Sequence, residues 1–217
     1  MNLSTVFTKQ HVSIFLIWLF HVSGILGIIY SNASWFVRAT PLNLLLSFGL
    51  LLINLKRDQK ALGLLFLCFV VGMAAEILGV RYGLIFGEYS YGAVLGPKVF
   101  EVPWLIGINW CILTFITGSI AAFFSNSFWL KTLLGVGLML TLDLVIEPVA
   151  PVLDFWTFSE GLASVHNYVG WAFVAFPLQM GFHHWKIHID RPFPFHLFIL
   201  QFLFFTILLF KINSIGI

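Results

Sequence analysis

Two acidic side chains, Asp143 and Glu147, lie four positions apart in the apolar run LTLDLVIEP of residues 140–148. On a helix this spacing places both on one face, with Cβ atoms about 5–6 Å apart. Two neighbouring carboxyl groups in a dry interior do not ionise together easily, so one keeps its proton near neutral pH. We therefore predict a proton donor beside a proton acceptor. A structural pair bonded to neighbouring helices is the alternative.

A third carboxyl group, Glu76, lies in the segment GMAAEILG of residues 72–79. Gly72, Gly79 and Gly83 share its face if the helix runs that far, and glycines allow a neighbouring helix to approach closely. Glu76 is predicted either to act in catalysis or to make a substrate site polar, or to lock helices together. In the last case it would hydrogen-bond across helices or pair with Arg81.

The composition predicts that a membrane-embedded scaffold holds these groups. Of the 217 residues 60% are hydrophobic and 9% are charged, against about 25% charged in ordinary soluble domains. A soluble domain of this size could not cover so much apolar surface. Apolar and polar residues do not alternate, which favours helices over a barrel. We predict an all-α, polytopic transmembrane helical bundle of about seven spans, as a single domain over residues 1–217. The seven apolar stretches are residues 12–30, 41–55, 61–80, 103–124, 131–153, 168–185 and 194–210.

Basic residues predict the orientation of this multi-pass bundle in the cell membrane. With the amino terminus in the cytoplasm, seven Lys and Arg residues lie inside and four outside, the bias that orients membrane proteins. The inner set is Lys9, Lys56, Arg57, Lys60, Lys131, Lys186 and Arg191, and the outer set is Arg38, Arg81, Lys98 and Lys211. A net charge of only +2 argues against a nucleic-acid partner.

Polar side chains in the fourth and sixth stretches predict an internal polar seam. Asn109, Asn167 and Gln179 are its clearest members, although hydrogen bonding between helices explains each one singly as well. An ionisable group at membrane depth costs about 2.5–3.5 kcal/mol on insertion scales, so Glu76, Asp143 and Glu147 indicate function by default.

Histidine and cysteine give weaker signals. His184 and His188 have a spacing that can bind a metal, but with His183 they form one cluster near basic residues, which suits a helix end at the membrane interface. We predict no metal site. His21 is predicted to be a core residue with its hydrogen bonds satisfied, and Cys68 and Cys111 are predicted to be small core residues.

Three blocks of the chain resemble a family of integral membrane carotenoid-biosynthesis proteins, which includes carotenoid 1,2-hydratases and enzymes like bisanhydrobacterioruberin hydratase. The first block is EILGVRYGLIFGEYSY over residues 76–91, continued by LGP at 95–97, VP at 102–103 and Trp110. The second is Asp143 with Glu147-Pro148, and the third is NYVGW over residues 167–171. Glu147 stands where the family pattern has Asp before proline, which keeps the acid function and changes its reach.

The resemblance implies addition of water across the terminal C1=C2 double bond of an acyclic carotenoid end, without a cofactor. A carboxylic acid would protonate C2, and water guided by a base would attack the tertiary cation at C1. Asp143, Glu147 and Glu76 are the catalytic candidates. The substrate-binding candidates are Tyr82, Tyr89, Tyr91, Asn109, Trp110, Asn167 and Trp171. For Tyr89 and Tyr91, anchoring at the membrane interface is an equal alternative.

The partners implied are the lipid bilayer, other carotenoid enzymes and a lipophilic polyene such as γ-carotene or lycopene. Two other functions remain open from the residues. A lycopene cyclase would share the first protonation, but a neighbouring double bond would capture the cation. A proton-coupled transporter would use the three carboxyl groups as an ion path, although no inverted repeat is visible in the sequence.

Overall fold

The computed structural model describes residues 8–215, and over this range the chain forms eight helices and four short strands. The helices are α1 (Lys9–Tyr30), α2 (Ala33–Arg38), α3 (Thr40–Asn54), α4 (Gln59–Tyr82), α5 (Leu105–Phe124), α6 (Phe128–Ile146), α7 (Val165–His184) and α8 (Pro192–Ile215). The strands are β1 (Tyr89–Tyr91), β2 (Lys98–Val99), β3 (Val102–Pro103) and β4 (Trp156–Phe158). The predicted all-α class is therefore confirmed.

The number of membrane spans differs from the prediction. Five helices, α1, α4, α5, α6 and α8, are long and apolar enough to cross a membrane. Helix α3 has 15 residues and reaches only about 22 Å at 1.5 Å per residue, less than the ~30 Å hydrocarbon core. Helix α7 has 20 residues but includes Asn167, Gln179 and three histidines, which lower its apolarity. The count of about seven spans is not confirmed.

Helix α5 forms the centre of the bundle. It packs against α3, α4, α6, α7 and α8, and most of its residues are buried. Its apolar side chains therefore form the core, and the other helices carry the surface that faces lipid, where large residues such as Phe66 and Phe173 are exposed.

One end of the bundle is held together by polar contacts between chain segments that are far apart in sequence. Lys9 Nζ lies 3.2 Å from Asp190 Oδ2, and the Lys56 amide donates to the His188 carbonyl. The beginnings of α1, α4 and α8 and the end of α7 therefore meet at the same end. Because most of the residues predicted to be cytoplasmic belong to these segments, we call it the basic end.

The opposite end is closed by two connecting segments, residues 83–104 and 147–164, which we call the cap. Strand β1 pairs with β4 in antiparallel register, with Tyr89 opposite Phe158 and Tyr91 opposite Trp156. Helix α4 ends at Gly83, whose φ of 64° is the left-handed conformation that commonly terminates helices. Helix α6 ends before Glu147 and Pro148, because proline has no N–H and cannot continue the ladder of hydrogen bonds.

Candidate active site

The three predicted catalytic carboxyl groups meet where the cap covers the helix ends. The side chains of Glu76, Asp143 and Glu147 are only 4%, 2% and 8% exposed. Glu76 lies in the last two turns of α4, Asp143 in the last turn of α6, and Glu147 directly after α6. The predicted clustering of acidic residues in a dry interior is therefore present in the fold.

Glu76 accepts hydrogen bonds from three neutral donors. The Tyr89 and Tyr91 hydroxyls donate to Oε2 at 2.5 and 2.7 Å, and Trp110 Nε1 donates to Oε1 at 3.0 Å. Arg81 is exposed and lies over the Phe100 ring instead, so the alternative of a Glu76–Arg81 pair is wrong.

The glycines near Glu76 have the predicted role of permitting close approach. A Cβ at Gly72 would lie 2.5 Å from the Trp110 ring, and one at Gly79 would lie 2.8 Å from the Tyr89 hydroxyl. Both glycines therefore leave room for a residue that donates to the Glu76 carboxyl group.

Asp143 and Glu147 form one hydrogen-bonded group with Asn167. The Asn167 amide nitrogen donates to Asp143 Oδ2 at 3.0 Å and to Glu147 Oε1 at 3.2 Å. Trp156 Nε1 donates to Glu147 Oε2 at 3.1 Å. The backbone amide of Glu147 donates to the Asp143 carbonyl at 2.9 Å, so the two carboxyl groups do share one helical face as their spacing predicts.

Glu76 and Glu147 both line one small cavity. Both carboxyl groups line it, together with Asn109 and Asn167, whereas Asp143 is not among its lining residues. The space that the centre of a water molecule can occupy is about 20 Å³, which is enough for one water. The site therefore brings two carboxyl groups to the wall of one water-sized space.

Aromatic rings form most of the remaining wall of this cavity. Trp110 and Trp171 are stacked with centroids 4.3 Å apart, and Phe86 lies beside both of them. Ring faces attract cations, by about 2 kcal/mol or more where water is excluded. The wall is therefore suited to a positive charge that forms inside the cavity.

Six of the seven predicted substrate-binding residues line this cavity: Tyr89, Tyr91, Asn109, Trp110, Asn167 and Trp171. The seventh, Tyr82, does not line the cavity. Its side chain is 65% exposed, because Tyr82 is six residues beyond Glu76 and therefore about 240° around the helix from it. Sequence reasoning missed Phe86, Ile106, Trp156 and Phe158, which also line the cavity.

Burial and the neighbouring carboxyl groups set the protonation of the groups in the cap. Burial, followed by the charge of Glu76, raises the pKa of Tyr89 and Tyr91 above the ordinary value, so both phenols stay neutral and can donate. Burial also raises the pKa of Glu147 to about 7. Glu147 therefore exchanges a proton in the physiological range.

The other polar residues singled out in the sequence have structural roles. Gln179 donates to Thr117 Oγ1 at 2.8 Å and to the Thr114 carbonyl at 3.2 Å, which connects α7 to α5.

Cys68 and Cys111 are buried with free thiols, as predicted. His184 ends α7 and His188 lies beyond it, after a turn at Lys186 with a φ of 53°, so the two histidines do not share a helix face. Within residues 8–215, no three His, Cys, Asp or Glu side chains are grouped to hold a metal ion.

The fold and the site together define a helical membrane protein that buries three carboxyl groups and an aromatic wall beneath a cap. Residues 39–215 match the model of a family described as carotenoid biosynthesis protein. The chain belongs to this family, which confirms the resemblance drawn from the sequence.

A curated relative gives a finer comparison. Over 108 residues the chain is 29% identical to bisanhydrobacterioruberin hydratase of Haloarcula japonica. The match covers 44% of this chain and 36% of the relative, so the chain matches about a third of that protein's length. No solved structure matches the chain.

Proposed function

We propose that the protein hydrates the terminal C1=C2 double bond of an acyclic carotenoid end group and yields a tertiary 1-hydroxy carotenoid. One observation carries this proposal: Glu76 and Glu147 both line a water-sized space with an aromatic wall. Acid-catalysed hydration needs a proton donor, a held water and a base around one carbon–carbon double bond. The name of the Haloarcula japonica relative, a hydratase, favours the same reaction.

Glu147 is the proton donor in this mechanism. It lines the cavity, whereas Asp143 lies behind it and is linked to it through the Asn167 amide. Close carboxyl groups in a dry site do not both ionise, so Asp143 favours a proton on its neighbour. Asp143 is thus a positioning residue in this scheme. The proton of Glu147 passes to C2, and the electron pair of the double bond forms the new C–H bond, which leaves a cation at C1.

Glu76 is the base. A carboxylate has about four lone-pair sites, and Tyr89, Tyr91 and Trp110 occupy three of them. The remaining site accepts a hydrogen bond from the water in the cavity. As that water attacks C1, its proton passes to Glu76, and transfer of a proton back to Glu147 resets the site. The net change is addition of one water to the alkene.

Expression in cells that accumulate a candidate polyene tests the proposal. The protein would be produced in separate strains that make lycopene, γ-carotene or bisanhydrobacterioruberin, and the extracted pigments would be analysed by mass spectrometry. We expect a pigment heavier by the mass of one water, absent from an empty-vector strain. A cyclised pigment of unchanged mass would instead identify a cyclase. Unchanged pigments in all three strains would contradict both enzymatic functions and favour a transporter.

The rate of hydration is expected to fall as the pH rises above about 7. Because burial raises the pKa of Glu147 to about 7, the protonated donor predominates below that pH and decreases about tenfold per pH unit above it. Product formation by membranes carrying the protein would be measured between pH 5 and 9 as an initial rate. A rate that rises through this range would show that Glu147 is not the donor.

Replacing Tyr91 by Phe removes a hydrogen bond to the base and keeps the ring. A hydrogen bond to a charged group contributes about 1.5–3 kcal/mol, so we expect the rate to fall by about one to two orders of magnitude. Tyr82→Phe is the matched control, since Tyr82 is an exposed tyrosine at the end of α4, and it should leave the rate unchanged. Equal rates for Tyr91→Phe and the wild type would contradict a role for Tyr91 in holding Glu76.

We also propose that the amino terminus is cytoplasmic. The basic end contains Lys9 and Lys56, and basic loops stay in the cytoplasm. The catalytic site would then lie in the outer half of the membrane, beneath the cap. Labelling an added cysteine beside Lys9 with a membrane-impermeant reagent, before and after permeabilising the cells, tests this orientation.

A further inference from the structure

A polar pocket opens on the surface of the cap, and we call it the outer pocket. Its polar lining residues are Glu88, Ser159, Glu160, Ser164 and His166, of which all but Ser164 are exposed. The space that the centre of a water molecule can occupy in it is about 150 Å³. Polar, roomy spaces hold water, whereas apolar cavities stay dry. The outer pocket is therefore expected to fill with water.

A wall one residue thick separates the outer pocket from the small cavity of the carboxyl groups. Phe86 lines the small cavity, and its chain neighbour Gly87 lines the outer pocket. The same holds for Asn167, which lines the small cavity, and its neighbour His166, which lines the outer pocket. Phe158 lines both spaces, and within residues 8–215 no other residue does. Its side chain is therefore the part of the wall that stands between the two spaces.

The Phe158 ring can move without opening the cap. The side chain is 8% exposed and packs against the Tyr89 ring with centroids 5.3 Å apart, and it has no hydrogen-bonding group to lose. The backbone around it is held, since the Phe158 carbonyl accepts from the Gly161 amide and the Ser159 amide donates to the Glu88 carbonyl, both at 3.0 Å. Side-chain rotations are much faster than lid motions. Rotation of this ring would therefore open the wall briefly while β1 and β4 stay paired.

Hydration consumes one water in every turnover, and the small cavity has room for one. The replacement must come from an aqueous phase, because the hydrocarbon core of a bilayer holds no water to supply it. We propose that the outer pocket is the water entrance of the site and that each water passes the side chain of Phe158. The inference rests on the proposed function and assigns the route of its second substrate. Between passages the ring keeps the carboxyl groups dry, and this burial is the main cause that raises the pKa of Glu147 to about 7.

Hydrogen–deuterium exchange of a buried carboxyl proton measures the passage of water without any substrate. The purified protein in detergent would be mixed with D2O at about pH 6, where Glu147 with a pKa of about 7 carries its proton. Time-resolved infrared spectroscopy would follow the shift of the C=O stretching band of this carboxylic acid. The Glu147→Gln variant, which lacks the band, identifies it.

Substitutions on the two sides of the wall assign the route. Phe158→Leu makes the barrier smaller, and we expect exchange to become about tenfold faster, the effect of lowering the opening barrier by about 1.4 kcal/mol. Ser159→Trp places a large side chain in the outer pocket and leaves the small cavity unchanged, because Ser159 lines only the outer pocket. We expect this variant to slow exchange by about the same factor.

Two controls match these variants. Phe155 is another buried phenylalanine of the cap and Thr157 is an exposed residue of β4, and neither lines the outer pocket or the small cavity. Phe155→Leu and Thr157→Trp should therefore exchange at the wild-type rate. Exchange that is unchanged in Phe158→Leu or in Ser159→Trp would overturn the proposal. Equal acceleration in Phe158→Leu and Phe155→Leu, which a general loosening of the cap predicts, would overturn it as well.

The exchange experiment and the pigment assay fail separately. Exchange is measured without a carotenoid, so it can depend on the outer pocket even where no pigment is hydrated. Conversely, hydrated pigment combined with exchange that ignores both variants would leave the proposed reaction intact and place the water entrance elsewhere.

Discussion

The Glu147→Gln variant should lose hydrated product almost completely while the protein still inserts into the membrane. The substitution keeps the size of the side chain and removes the only proton-donating group that we assign to the alkene, and general acid–base catalysis contributes about 10²–10⁴-fold to rates. Glu147 lies at the cavity surface and is held by Trp156 and Asn167, so nothing else in the described site replaces it at that position. Pigment mass spectrometry, normalised to membrane-inserted protein, measures the loss.

The companion variant Asp143→Asn and a matched control complete this experiment. Asp143→Asn removes the carboxyl group that neighbours the donor, and we expect it also to abolish the hydroxylated product. Glu101→Gln should have no effect, since Glu101 is an exposed carboxyl group of the cap. Retention of activity in both Asp143→Asn and Glu147→Gln would contradict Glu147 as the proton donor and Asp143 as the residue that positions it.

The Gly170→Ala variant should lose both stability and activity, although it adds a single methyl group. A Cβ at Gly170 on α7 would lie 2.0 Å from the backbone carbonyl oxygen of Ile85 in the cap. Backbone cannot rotate away as a side chain can, so the cap or the helix must shift, and such overpacking costs about 1–3 kcal/mol. The shift displaces Phe86, which lies beside both Trp110 and Trp171 in the aromatic wall. The unfolding temperature and the yield of hydrated pigment should fall together.

Gly137 provides the control for this substitution. It lies within α6, and a Cβ there would meet nothing within 4 Å. Gly137→Ala should therefore leave activity unchanged and stability unchanged or slightly higher, because alanine is the better helix former. If Gly170→Ala behaves like Gly137→Ala, close contact between α7 and the cap is not needed to hold the site.

Local spacing made the acidic residues predictable from the sequence. Asp143 and Glu147 are one helical turn apart, so their proximity depends only on the helix. Tyr89 and Tyr91 are separated by one residue, and the strand directs both to the buried face and Ser90 outward. The interface alternative for these tyrosines is therefore wrong. The resemblance of residues 76–91 to the family had made both tyrosines substrate-binding candidates.

Long-range pairing explains what the sequence did not predict. Trp156 reaches Glu147 because β4 pairs with β1. In this pairing Trp156 lies opposite Tyr91, which is 65 positions earlier in the chain. Three-residue strands carry no periodicity that identifies them, so nothing near Trp156 indicated a partner. The count of about seven spans is not confirmed, because the polar residues that α7 turns inward, such as Gln179, reduce the apolarity by which a span is recognised.

The paired strands β1 and β4 together donate hydrogen bonds to both Glu76 and Glu147. Strand β1 supplies the hydroxyls of Tyr89 and Tyr91 to Glu76, and β4 supplies the indole of Trp156 to Glu147. Moving these two strands away from the helices would remove three hydrogen-bond donors from two buried carboxyl groups at once. Buried carboxyl groups without donors cost free energy in a dry interior. The cap is thus expected to stay closed. A lipophilic substrate would then enter the site laterally between helices and leave by the same route.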